Sequence, residues 1–121
     1  MRLERVLLNL LRLGATIQVV VGIALWSGHW FEYVTVHMAV GVLFVLLLWT
    51  LAVTVLLRRV NARLAIVTIV WGLVIAAFGV TQQRLLAGDL HWIIRALHLI
   101  VGVAAMPVAE RLAKTPPVAA P

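Results

Sequence analysis

YVTVHMAVGVLFVLLLWTLAVTVLL, residues 33–57, runs for twenty-five positions without a formally charged side chain. As a helix rising about 1.5 Å per residue, it is longer than the roughly 30 Å of hydrocarbon in a bilayer. Valine and threonine are frequent in it, but apolar and polar residues do not alternate, so a barrel strand is a poor fit. The stretch is therefore read as a membrane-spanning helix, and three others resemble it. Residues 13–31 and 64–83 carry no formal charge, and residues 90–109 carry only Arg95. The composition agrees: 64% of the 121 residues are hydrophobic and the mean hydropathy is +1.13. A water-soluble domain of this length has no interior large enough for so much apolar surface. The expected fold is all-α, a bundle of four transmembrane helices.

The charges fall between these runs. An even number of spans puts both termini on one side, together with Arg2, Arg5, Arg12, Arg58, Arg59, Arg63, Arg111 and Lys114. Arg84 and Arg95 belong to the other side. This asymmetry predicts cytoplasmic termini in a bacterial inner membrane, because basic residues are retained on the cytoplasmic side. Residues 1–12 are expected to form an interfacial lead rather than a cleaved signal, residues 13–110 the transmembrane domain, and residues 111–121 a disordered cytoplasmic tail. The net charge of +6 forms no continuous basic face, so nucleic acid is not an expected partner; the lipid bilayer is.

Four histidines lie on the same predicted side: His29 and His91 near the outer ends of spans, His37 and His98 deeper. The deeper two are written in a repeated phrase, HMAVGV at 37–42 and HLIVGV at 98–103. Residues 16–22, TIQVVVG, loosely match residues 66–72, IVTIVWG. The chain thus reads as two repeated helical hairpins in parallel orientation, with helices 2 and 4 opposing His37 and His98. Imidazoles from two facing helices suit the two axial positions of haem iron. Gly41 and Gly102, one turn beyond the histidines on the same face, remove side chains that would collide with a flat macrocycle. Arg95, one turn outward of His98, is the expected partner of a haem propionate, since an arginine in an apolar helix needs an anion or a route to the interface. His91, and less directly His29 and Tyr33, are candidates to touch a propionate or a quinone. Pro107 is expected to bend or close the fourth helix.

With no cysteine, thiolate metal sites, thioether haem attachment and cysteine nucleophiles are excluded. There is no phosphate-binding loop and no nucleophile–base pair. Two other readings stay open. His29, His37, His91 and His98 could together bind or transport copper or zinc. Alternatively, the histidines and glycines could only pack helices, in a structural subunit or assembly factor of a membrane complex.

His37, Gly41, His98 and Gly102, within four spans, make the chain resemble the small b-type cytochromes of bacterial membranes, cytochrome b561-like proteins. The resemblance implies haem b held by His37 and His98, with His29 or His91 in a quinone pocket or second site. It also implies electron exchange with quinol or quinone, or with a partner oxidoreductase. Family members often hold a second haem near the cytoplasmic face, and this chain has no histidine there. With so little surface outside the bilayer, a homodimer or a place beside a larger membrane oxidoreductase is expected.

Overall fold

A computed structural model describes residues 2–115. Four helices, α1 (Arg2–Trp26), α2 (Val34–Leu57), α3 (Ala62–Thr81) and α4 (His91–Ala113), carry almost all of it, and the described residues include no strand. Each helix is long and apolar enough to cross a membrane. The protein is a multi-pass membrane protein built as a four-helix bundle. The expected interfacial lead is continuous with α1, which starts at Arg2 without a break. Helix α4 runs on to Ala113, so the first residues of the expected disordered tail are helical; residues 116–121 lie outside those described.

The turns are short and locally encoded. Asn61 caps α3, its side-chain oxygen accepting the Leu64 amide at 3.2 Å, and the four residues 58–61 return the chain antiparallel. Gly28 and Gly88 have φ of 84° and 101°, a left-handed conformation that L side chains adopt at a cost. Each sits in the link between the two helices of its hairpin, a shared backbone feature of the two halves. Pro107 does not close α4, which continues beyond it for nearly two turns. Proline deprives the Val103 carbonyl of its amide partner there.

Helices α1 and α3 each pack against α2 and α4, and do not touch one another among the described residues; α2 and α4 meet across the short diagonal. The solid core occupies one end. Leu11, Leu48, Leu51 and Leu112 are fully buried, while Ala52, Ala65, Ala105 and Ala109 let the backbones approach. Ion pairs lie at the same end. Arg12 Nη2 donates to Glu110 Oε1 at 2.8 Å, joining α1 to α4, and Arg58 pairs with Glu4. These contacts place the N-terminus, the α2–α3 turn and the C-terminal end of α4 together, as an even number of spans requires. Large apolar side chains such as Val42, Leu57 and Val80 are exposed, forming a surface suited to lipid.

Two indoles tie adjacent helices through backbone carbonyls. Trp49 Nε1 donates to Ile69 O and Trp71 Nε1 to Val101 O, both at 3.1 Å. The Trp49 ring lies directly against Gly72, where a Cβ would overlap the indole nitrogen and come within 3.0 Å of Cδ1. A rigid, hydrogen-bonded ring cannot yield as a flexible chain end would. Gly72→Ala is therefore expected to destabilise the bundle by about 1–3 kcal/mol, the range for overpacking a close-packed interior. Thermal unfolding in detergent, compared with Gly14→Ala whose Cβ meets Phe44 at an ordinary 3.5 Å, checks it.

Candidate functional site

Past the leucine and alanine core, the bundle opens. A cavity of about 640 Å³ lies between the four helices in the half away from the termini, within the roughly 300–1,000 Å³ range of small-molecule and cofactor pockets. His37 enters it from α2 and His98 from α4, with ring centres 6.4 Å apart and planes inclined by 60°. Both imidazoles are partly buried. Phe78 lies 5.8 Å from the His98 ring, centre to centre.

Glycine makes room for each ring. A Cβ at Gly22 of α1 would lie 3.3 Å from His37 Cε1, and one at Gly79 of α3 would lie 3.7 Å from His98 Cε1. Each histidine is thus seated against a glycine of the preceding helix. This corrects the internal alignment: the counterpart of Gly22 is Gly79, whereas Gly72 belongs to the Trp49 contact. The other two glycines differ. At Gly102 a Cβ would meet nothing within 4 Å, but at Gly41 it would come within 2.6 Å of Gln18 Nε2. The notch beside His98 is open, and the equivalent notch beside His37 is filled by a glutamine side chain.

Enclosed polar atoms without a hydrogen-bond partner gather here: His37 Nδ1, His98 Nδ1 and Gln18 Oε1. Leaving such a group unsatisfied costs about 1–3 kcal/mol.

Toward the open end the cavity is lined by Gln82, Gln83, His91 and Arg95. His91 Nδ1 donates to Leu85 O at 3.1 Å, since a carbonyl can only accept. Arg95 has no carboxylate partner among the described residues and is exposed along the cavity wall. His29 and Tyr33 are not brought to this site. His29 Nδ1 is hydrogen-bonded with the Ser27 hydroxyl at 3.1 Å, and Tyr33 stands 5.7 Å from Trp30, both outside the cavity lining. No three metal-ligating side chains converge among the described residues, so the histidines do not form the cluster that a copper or zinc site would need.

Gly22, Gly79 and Gln18 were missed from sequence. Glycines inside apolar runs are hard to align when almost every neighbour is Val, Ile, Leu or Ala. Gln18 did carry a signal: it is the one amide side chain deep inside any of the four apolar runs. No protein-family model matches the chain, and no match is found among curated proteins or solved structures.

Proposed function

We propose that the chain is an integral membrane electron-transfer protein holding one haem b, with His37 and His98 as its two axial ligands. The observation that carries this reading is the separation of the two imidazoles across a glycine-lined cavity. If His37 and His98 each held a shared metal ion through a nitrogen about 2 Å from it, with the ring centre roughly 1 Å behind, the centres would stand as much as about 6 Å apart. The observed distance is 6.4 Å. Gly102 leaves the space above α4 clear where a macrocycle would pass, and the unpartnered Nδ1 atoms belong to rings whose other nitrogen is the natural ligand.

The remaining residues have definable tasks. Arg95 supplies an unpaired cation at the rim, suited to a propionate. His91, held by Leu85, stands beside it. Together with Gln82 and Gln83 they make a polar rim at the open end of the cavity. Bis-histidine haem supplies a one-electron couple with no open coordination position, so oxygen activation is not its chemistry. The chain's own residues then need only hold the group, exclude water and set its potential. Quinol, quinone or a partner oxidoreductase is the expected source or sink of electrons, and the basic end is read as cytoplasmic in a bacterial inner membrane.

The test is a reduced-minus-oxidised optical spectrum of protein purified in mild detergent from haem-sufficient cells. A single sharp α band of low-spin haem b is the expected result. Colourless protein that also takes up no added haemin overturns the reading and favours a packing role for the histidines.

A further inference from the structure

The two halves of the cavity are not equivalent, and the difference lies in α1 and α3. On the first side α1 and α2 interlock: Gly22 receives the Cε1–Nδ1 edge of His37, and one turn inward Gly41 receives the side chain of Gln18. A Cβ at Gly22 would stand 3.3 Å from Cε1 and 4.0 Å from Nδ1 of that ring. On the second side Gly79 receives the Cε1 edge of His98, but the residue one turn inward on α3 is Ile75. It also lines the cavity, and the Gly102 notch stays open. Of the two unpartnered imidazole nitrogens, only His37 Nδ1 therefore has an unpartnered acceptor, Gln18 Oε1, on the adjoining turn.

We propose that Gln18 is a positioning residue for His37, its side-chain oxygen accepting the Nδ1 proton of that imidazole when Nε2 is engaged by the metal, while His98 has no such partner. The inference rests on the haem reading above. A ligating histidine ordinarily donates its second ring N–H to an acceptor, which fixes its tautomer and makes it the stronger donor. Here that bond would satisfy two enclosed atoms at once. It asks only for rotation of the terminal amide, whose last torsion is broad. Isoleucine at position 75 can offer nothing comparable, so the iron would have one strong and one ordinary imidazole.

The test uses the full chain loaded with haem and three variants: Gln18→Leu, Gln18→Glu and Ile75→Gln. A stronger imidazole donor favours ferric iron, so Gln18→Leu is expected to raise the midpoint potential. Gln18→Glu, which keeps an acceptor, should hold it at or below the wild-type value, and Ile75→Gln should lower it by supplying His98 with the missing partner. Ring-15N histidine spectra of the reduced, diamagnetic protein provide a readout that packing alone would not move. One slowly exchanging Nδ1–H signal should disappear in Gln18→Leu, and a second should appear in Ile75→Gln. Unchanged potential and unchanged Nδ1–H signals in Gln18→Leu, with haem uptake intact, overturn the proposal and leave the haem reading standing. If Gln18→Leu does not fold, an Ile75→Gln protein with wild-type potential and signals overturns it equally. A wild-type chain that takes up no haem fails one step earlier, and the proposal falls with it.

Discussion

Alanine at His37 or at His98 is expected to abolish the low-spin haem spectrum, and alanine at both to leave the protein colourless. Losing a residue that merely orients a metal ligand typically weakens metal binding about 10–100-fold, so losing the ligand should cost at least the upper part of that range. With one imidazole gone, any haem retained would have a vacant axial position and a high-spin spectrum. The fold should survive. The residues that hold the bundle together, among them Leu11, Leu48, Leu51 and Leu112, lie in the other half of the molecule. Neither substitution touches that core, so the melting temperature of the protein without haem should change little. His29→Ala is expected to retain the full spectrum, since that ring is engaged with Ser27 away from the cavity. Haem titration followed optically, with thermal unfolding of the haem-free proteins, separates these outcomes. A His37→Ala, His98→Ala protein with wild-type haem affinity would refute the assignment.

The spans were legible because charge is so scarce in this chain that its gaps mark the helices, and four apolar runs admit few alternatives. His37 and His98 were legible because histidine is costly inside a membrane and the phrase HxxxG occurs twice. The seats of those histidines were not. Gly22 was paired with Gly72 through a resemblance between apolar segments. Such segments can be slid by several positions without losing similarity, since lipid-facing residues need only be apolar. What fixes the register is a contact in three dimensions: Gly79 against His98, and Gly72 against Trp49. Pro107 does not end α4, since a membrane helix can absorb the loss of one backbone hydrogen bond when its neighbours hold it in place. The exposed positions of His29 and Tyr33 depend on how the α1–α2 link turns at Gly28. Nothing in the side chains themselves reports that.

Glycines 102 and 72 give opposite expectations, and the contrast separates ligand space from packing space. Gly102→Leu is expected to reduce haem affinity by about 10–100-fold or more, because filling space that a ligand occupies costs about 1–3 kcal/mol when the surroundings must shift. The same change should not harm the haem-free protein. Its Cβ meets nothing within 4 Å, and leucine is favoured over glycine in a helix by roughly 0.8 kcal/mol. The haem-free Gly102→Leu protein should therefore melt at or above the wild-type temperature, whereas Gly72→Ala, far from the histidines, should melt lower yet bind haem normally once folded. Gly41 is an intermediate case, since a Cβ there strikes the amide of Gln18 before it reaches the cavity. Gly41→Ala should perturb both properties, and the added change Gln18→Ala should relieve the collision. Were Gly102→Leu to bind haem as well as the wild type, the open notch on α4 would not be ligand space, and any macrocycle would have to lie elsewhere between the helices.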